Sequence, residues 1–233
     1  MSKGFFLVVG GIGGSGKTGL CKKIAAFFEE SGWPHIQTFE PGGTPAANYL
    51  RTLCRQGLPD CEPLTPMAEA MLFNAARAQH VETVIRPALA EGKVVICDRY
   101  AETTYAYQGA ARGANIFNLQ QVHHYGIGLD PDLTIILDGD VEVFMSRVSD
   151  QEKLTDKFDA MALATQERMQ EYLAHLVEGD NTGKFVDVEA DGTREELWEQ
   201  VLPHLEKIKK HLFVNTIPNS RFEAGIRDTS VGT

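Results

Sequence analysis

The residues of this chain best suited to chemistry form a glycine-rich loop that ends in a lysine and a threonine. The loop reads G-I-G-G-S-G-K-T from Gly11 to Thr18, after the apolar run at 5–9 and before helical sequence at 17–30. Glycines at these positions let successive backbone N–H groups turn inward around a phosphate. The following helix adds its unpaired N–H groups and its positive dipole end. The pattern therefore predicts a loop that binds a nucleoside triphosphate.

Two side chains of this loop and one acid elsewhere in the chain are expected to supply a positive charge and metal ligands. Lys17 can place a mobile positive charge against the terminal phosphates, and the Thr18 hydroxyl can coordinate Mg²⁺. A strand-like run, V-V-I-C, ends at Asp98 and Arg99. A carboxylate at that end of a buried strand can share the metal, and Arg99 can contact a phosphate. An exposed Asp–Arg pair would give the same pattern, so both interpretations stay open on these residues alone.

The helical segment predicted at 66–91 carries an aromatic and a basic side chain away from its expected core face. At 100° per residue, that core face consists of Met71, Ala75, Ala78, Ile85 and Leu89. The opposite side presents Phe73, Arg77, His80 and Val84. Phe73 and Arg77, one turn apart, could stack on a planar base and hydrogen-bond its edge. The alternative is a helix buried on two sides, with Arg77 in a structural ion pair.

A further polar face follows Asp98 in the sequence. Steps of three and four residues relate a hydroxyl, an aromatic, an amide and a guanidinium group, those of Thr104, Tyr107, Gln108 and Arg112. On a helix these side chains share one face and could line the same cleft. A solvated polar face would look similar.

The elements that must position these groups alternate between strands and helices, which is typical of an α/β fold with a covered parallel sheet. Strands are predicted at 5–9, 35–39, 93–97, 133–137 and 184–188. Besides the helices at 17–30 and 66–91, a shorter one is predicted at 45–56. The polar stretch 149–156 is expected to be a solvated loop. The aperiodic tail at 213–233 is expected to be flexible or to pack on a neighbour.

Composition narrows the class of protein. The chain has 233 residues and a net charge of −10, which fits one α/β domain and argues against a nucleic-acid-binding surface. Its four cysteines form no C-x-x-C pair, so free thiols in a reducing compartment are expected. No apolar run is long enough for a membrane span or a signal peptide. These features predict a cytoplasmic protein without nucleic-acid or membrane partners.

Together, the phosphate loop and three further motifs resemble the thymidylate kinases. The motifs are F-E-P-G-G-T at 39–44, L-F to R-A-Q-H within 72–80, and D-R-Y to Y-Q-G within 98–109. The resemblance implies phosphorylation of dTMP to dTDP by ATP with Mg²⁺. It implies a P-loop NTPase three-layer fold, in which a five-stranded parallel sheet has helices on both faces and a small mobile lid. It also implies a homodimer, a kinase domain at 1–212 with its lid at about 147–158, and a separate tail at 213–233.

Carried over by position, the resemblance assigns residues to both substrates. ATP would be bound by Gly11, Gly13, Gly14, Ser15, Gly16, Lys17, Thr18 and Gly19. The dTMP site would consist of Glu40, Arg51, Phe73, Arg77, Arg99, Tyr100, Thr104, Tyr107 and Gln108, with Arg112 at its border. The metal ligands would be Thr18 and Asp98, and the catalytic residues Lys17, Asp98, Arg99, Arg147 and Lys153.

The same resemblance gives several residues specific roles. Phe73 would stack on thymine and Arg77 would reach its edge. Arg51 and Arg99 would hold the 5′-phosphate of dTMP, and Tyr100 would pack against deoxyribose where a 2′-hydroxyl would crowd. Adenine is expected near residues 190–193, by analogy between folds.

The sequence also departs from the family pattern. Family members often carry acids at the positions of Gly10 and Gly13, and bacterial members commonly have Arg at the position of Phe39. The loop has glycine and not arginine at position 14. In the predicted lid, Lys153 is the one basic residue between Arg147 and D-K-F-D at 156–159. Transition-state charge would then rest on Lys17, Arg147, Lys153 or Lys157.

Three other functions use a nucleotide-binding loop of this kind. A GTPase needs an N-K-x-D element, which the sequence lacks. A kinase for another or a 5-substituted deoxypyrimidine monophosphate would fit the changes at Gly13 and Phe39. A non-catalytic nucleotide-binding protein would fit the sparse lid, although Lys17, Thr18 and Asp98 together argue against it.

Overall fold

The central element of the fold is a five-stranded parallel sheet. The structure is a computed structural model that describes residues 4–56, 61–149 and 161–216. Its strands are β1 (Phe5–Gly10), β2 (His35–Phe39), β3 (Val94–Asp98), β4 (Leu133–Asp138) and β5 (Phe185–Glu189), in the order β2-β3-β1-β4-β5. All strand bounds lie within one residue of the sequence-based prediction. The parallel arrangement collects the C-terminal ends of all five strands at one edge, and the chemistry-bearing segments follow β1, β2 and β3.

Helices cover both faces of this sheet, as the α/β pattern predicted. In chain order they are α1 (Lys17–Glu30), α2 (Pro45–Gln56), α3 (Pro66–His80), α4 (Arg86–Ala90), α5 (Ala101–Thr104), α6 (Ile116–Gly126), α7 (Val141–Ser149), α8 (Leu163–Glu178) and α9 (Arg194–Thr216). Two π-helical turns, π1 (Val81–Ile85) and π2 (Tyr105–Ala111), join α3 to α4 and extend α5. No helix in the described ranges is long and apolar enough to cross a membrane.

Successive residues of β1 belong to two different apolar cores, because strand side chains alternate between faces. Leu7 and Val9 belong to the larger core, with apolar residues of α1, α8 and α9. Phe6 and Val8 belong to the smaller core, which includes residues of π1 and α4. Burial on both sides explains why β1 and its neighbours are continuous apolar runs.

The predicted core face of the 66–91 segment is confirmed from Ala78 onward, where Ile85 is buried in the smaller core and Ala78 and Leu89 pack against it, and is wrong before that point. Met71 is 47% exposed and Ala75 is also exposed. The buried face instead contains Phe73, Arg77 and His80. The prediction failed because polar side chains here are buried with hydrogen-bond partners, and a hydrophobicity pattern cannot recognise such a face.

The C-terminal part of the chain also differs from the prediction. Helix α9 continues to Thr216, so residues 213–216 belong to a helix and not to the tail. The rest of the tail, 217–233, lies outside the described residues. Most of the predicted lid also lies outside them, including Lys153, Lys157 and the D-K-F-D sequence.

Candidate active site

The phosphate loop connects β1 to α1, as its sequence predicted. Gly11, Gly14 and Gly16 have φ angles of 139°, 76° and 96°, in the region that favours glycine. Gly14 is also restricted by packing, because a Cβ there would lie 1.9 Å from the carbonyl oxygen of Phe144 on α7. The absence of an arginine at position 14 therefore follows from the close approach of α7, which leaves no space for a side chain.

The reactive side chains of the loop face its interior and the end of β3. The Lys17 ammonium group is buried and donates hydrogen bonds to the Ile12 carbonyl and to Ser15 Oγ, the latter at 3.1 Å. Thr18 Oγ1 donates to Asp98 Oδ2 at 2.6 Å. The expected proximity of Thr18 and Asp98 is thus confirmed, and their oxygen atoms are the donor type that Mg²⁺ prefers.

A second cleft lies beside the loop and holds about 570 Å³ of space not filled by protein, part of it open to solvent. It contains all nine residues that the resemblance assigned to a dTMP site. The full lining consists of Glu40, Pro41, Arg51, Arg55, Phe73, Arg77, Arg99, Tyr100, Thr103, Thr104, Tyr107 and Gln108.

An ion-pair network forms the buried wall of this cleft. Arg77 Nε donates to Glu40 Oε2 at 2.6 Å, and both side chains are almost fully buried. The other carboxylate oxygen of Glu40 lies 3.0 Å from Nδ1 of His80. Arg77 also donates to Thr104 Oγ1 at 2.9 Å. The structural ion pair and the cleft wall, which were alternatives on sequence grounds, are therefore both present.

Arg99 joins the cleft to the phosphate loop. Its guanidinium group donates to the Gly11 carbonyl at 2.8 Å and lies 5.4 Å from the ring centre of Tyr107. Its φ angle of 72° is uncommon for a non-glycine residue and is found mainly at functional sites. One cationic group thus borders both sites.

The end of β2 explains the departure at Phe39. Arg51 on α2 donates to the Pro41 carbonyl at 2.7 Å, and its guanidinium carbon lies 5.5 Å from the ring centre of Phe39. The ring therefore packs against a cation of the cleft, where an arginine at position 39 would place a second positive charge beside Arg51.

Two side chains lie close to Gly10, the position at which family members often carry an acid. A Cβ at this position would lie 2.7 Å from Ile136 Cδ1 and 3.2 Å from Glu102 Oε1. The buried Glu102 carboxylate accepts hydrogen bonds from the Tyr100 N–H at 2.9 Å and from Thr103 Oγ1 at 3.1 Å. Burial raises the pKa of Glu102. A carboxyl group from the start of α5 therefore lies beside Gly10.

The contacts of Arg147 are not those expected of a catalytic cation. Its guanidinium group donates to the carbonyls of Ala190, Asp191 and Gly192, the first two at 2.7 Å and the third at 3.3 Å. It therefore contacts the segment where adenine was expected. Its catalytic role stays a prediction, and that of Lys153 lies outside the described residues.

Sequence reasoning missed several polar side chains at the cleft. Arg55 lines it one turn after Arg51 on α2, a spacing that could have revealed it. Glu69 is fully buried and accepts hydrogen bonds from Gln108 and Arg112. Because Glu69 precedes Phe73 by four residues on α3, the same helical spacing could have identified it.

Comparison with known proteins agrees with this arrangement. Residues 9–201 match the family model described as thymidylate kinase. A protein named thymidylate kinase from Cereibacter sphaeroides (strain ATCC 17029 / ATH 2.4.9) is 41% identical over 204 residues, covering 84% of this chain and 91% of the relative. One of the same name from Ruegeria pomeroyi is 36% identical over 209 residues, covering 88% and 98%. Another from Thermomicrobium roseum is 46% identical over 144 residues, covering 61% and 67%.

Proposed function

Because this chain belongs to the thymidylate kinase family, we infer that it transfers a phosphoryl group from ATP to dTMP and forms dTDP. The observation that carries this inference is the position of Arg99. Its guanidinium group contacts the Gly11 carbonyl of the phosphate loop and packs on Tyr107 of the cleft. A phosphate held by Arg99 would therefore lie between a triphosphate in the loop and a nucleoside in the cleft.

The reaction needs alignment and charge neutralisation more than it needs a base. The attacking oxygen of dTMP already carries negative charge, so the protein must bring two anions together and stabilise the charge between them. The inward N–H groups of the loop and Lys17 would bind the donor phosphates. Arg51 and Arg99 would hold the acceptor phosphate, and Phe73 and Arg77 would bind the base.

We assign Thr18 and Asp98 to the binding of Mg²⁺ together with ATP. Their side-chain oxygens are 2.6 Å apart at the end of the phosphate loop, and hydroxyl and carboxylate oxygens suit this cation. When bound, the metal would neutralise charge on the phosphate oxygens. Lys17 would add a second positive charge after exchanging the Ile12 carbonyl for a phosphate oxygen.

We further propose a homodimer in the cytoplasm. In the described part of the chain, large apolar side chains are exposed on four helices, among them Tyr49 on α2, Met71 on α3 and Phe117 on α6. A second copy of the chain would cover such groups. The free thiols of Cys21, Cys61 and Cys97 favour a reducing compartment. Sedimentation of the wild type and of a Met71→Lys variant would test the dimer, which the variant is expected to weaken.

A second acceptor class is favoured by Arg55. Its side chain lines the cleft one turn after Arg51, and a guanidinium group can donate hydrogen bonds, which the methyl group of thymine cannot accept. A 5-substituted deoxyuridylate with an oxygen-containing substituent could accept such a bond. The Arg55→Leu variant would lose any preference for such an acceptor and keep its activity on dTMP.

One assay tests both candidates. ATP- and Mg²⁺-dependent diphosphate formation should be measured with dTMP, dUMP, 5-hydroxymethyl-dUMP, UMP, CMP and AMP. We expect dTMP to give the largest kcat/KM, and Lys17→Ala to abolish turnover while dTMP binding persists. A lead for 5-hydroxymethyl-dUMP would favour the second acceptor class. Absence of turnover with every acceptor would contradict the kinase function.

A further inference from the structure

A buried carboxylate behind the cleft sets the hydrogen-bonding direction of Gln108. The Glu69 side chain is 0% exposed and forms an ion pair with Arg112. Gln108 Nε2 donates to Glu69 Oε2 at 2.8 Å. Arg112 is itself fixed by a second bond, from its other terminal nitrogen to the Leu64 carbonyl at 3.2 Å. The carboxylate thus lies between two donors that come from π2 and the residue after it.

The orientation of the Gln108 amide follows from its chemistry. A carboxylate paired with an arginine can only accept hydrogen bonds, so the NH₂ group of Gln108 must face Glu69. The Oε1 atom of the same planar amide then lies on the other side. Because Gln108 lines the cleft, it offers the ligand a hydrogen-bond acceptor.

We propose that Glu69 is a positioning residue that determines base specificity, an inference that rests on the proposed function. By holding the NH₂ group of Gln108, it selects a pyrimidine whose N3 carries a hydrogen atom. Thymine and uracil have this N3–H donor, whereas N3 of cytosine is an acceptor that faces Oε1 unfavourably. Arg77 also lines the cleft, and the second N–H of its Nη1, beside the one that Asn74 accepts, suits a ring carbonyl and not the amino group of cytosine.

The Glu69→Gln variant tests this role with little change in shape. The amide at position 69 can donate to Gln108 or accept from it, so Gln108 is free to present either of its ends. We expect kcat/KM for dTMP to fall about tenfold or more, mainly through KM, and the dTMP to dCMP ratio to fall by a similar factor. KM for ATP should stay unchanged. A loss of activity with an unchanged ratio would overturn the proposal.

Two controls separate positioning from structural support. Glu82→Gln removes the carboxylate charge from an exposed pair with Arg86 on the same helical segment, and it should leave the dTMP to dCMP ratio unchanged. Arg112→Met removes the ion pair but keeps the acceptor for Gln108, so its ratio should stay well above that of Glu69→Gln. Equal ratios in Arg112→Met and Glu69→Gln would mean that the ion pair, and not the carboxylate itself, sets specificity.

A ligand change tests the same geometry in the wild-type protein. Methylation at N3 of dTMP removes the donor that Gln108 Oε1 would accept, so binding should weaken about tenfold or more by titration calorimetry. Equal binding of dTMP and N3-methyl-dTMP would overturn the proposal even if the Glu69 variants fail to fold. Turnover of dTMP by the wild type distinguishes these outcomes from a failure of the proposed function.

Discussion

Removal of the Arg77 charge should leave the buried Glu40 carboxylate without its guanidinium partner. The side chains of Arg77 and Glu40 are 3% and 2% exposed, and the two charged atoms are 2.6 Å apart. Burial disfavours the charged guanidinium group, but the Glu40 carboxylate more than offsets this, and the pKa of Arg77 is raised. Three of the other four guanidinium N–H groups are bound by Asn74, the Tyr100 carbonyl and Thr104.

The Arg77→Met variant fills a similar volume without these donors. Breaking a buried ion pair by removing one partner costs about 3–5 kcal/mol, because the remaining charge is uncompensated. Glu40 keeps a 3.0 Å contact with His80, so we expect the free energy of unfolding to fall by about 3 kcal/mol. Urea unfolding followed by circular dichroism and by the fluorescence of Trp33 and Trp198 would measure this loss.

A double-mutant cycle isolates the contribution of the pair. Glu40→Gln combined with Arg77→Met removes both charges, and it should cost about 2 kcal/mol less than the sum of the two single variants. The exposed Glu82–Arg86 pair, with side chains 65% and 40% exposed, is the matched control and should show a coupling of about 0.5 kcal/mol. Equal coupling energies in the two cycles would refute the argument from burial.

Three further predictions concern the phosphate loop and the carboxyl groups around it. Gly14→Ala should lower the free energy of unfolding by about 2 kcal/mol more than Gly16→Ala, because both have positive φ but only position 14 collides with Phe144; equal losses would contradict this. Burial raises the pKa of Glu102, so the folded state favours the protonated carboxyl group. The resulting stabilisation is complete below the pKa that Glu102 has in the unfolded chain, and it is lost as pH rises through its pKa in the folded protein. Glu102→Gln should therefore become more stable relative to wild type as pH rises from about 4 through the raised pKa of Glu102, and a pH-independent difference would be inconsistent with the burial effect. Asp98→Asn should raise the Mg²⁺ concentration needed for half-maximal activity about tenfold with little change in KM for dTMP, whereas an unchanged metal dependence would remove Asp98 from the metal site.

The sheet could be predicted well because its strands are buried on both faces. Continuous apolar runs such as that of β1 mark such strands, and short polar segments separate them. The phosphate loop was equally clear, because its glycines, lysine and threonine are tied to one backbone geometry. These signals are local in sequence, so no knowledge of tertiary contacts was needed.

The inner face of α3 could not be predicted from apolar periodicity. Glu69, Arg77 and His80 are buried there because partners from other segments neutralise or bind them, and these contacts join residues about 40 positions apart. Resemblance placed Arg77 correctly in the cleft but gave no information on Glu69. The orientation of the Arg147 side chain depends on three backbone carbonyls of the 190–192 segment, and no local sequence pattern predicts these contacts.

The departures at Gly10 and Gly14 are clear only in three dimensions. Each position is restricted by a segment far away in sequence, Glu102 and Ile136 in one case and Phe144 in the other. Viewed in the sequence, both look like the loss of a functional side chain. Viewed in the structure, they are sites at which a neighbouring element occupies the space.

The strand order has a consequence for how acceptor preference can change in evolution. Strands β2 and β3 lie on one side of β1, and β4 and β5 lie on the other. Every described residue that lines the cleft beside the phosphate loop falls between positions 40 and 108. Recombination between family members within 35–112 would transfer all of these lining residues together while leaving the phosphate loop and the 190–192 segment intact. A new preference could thus be acquired in a single genetic exchange, without the accumulation of scattered substitutions.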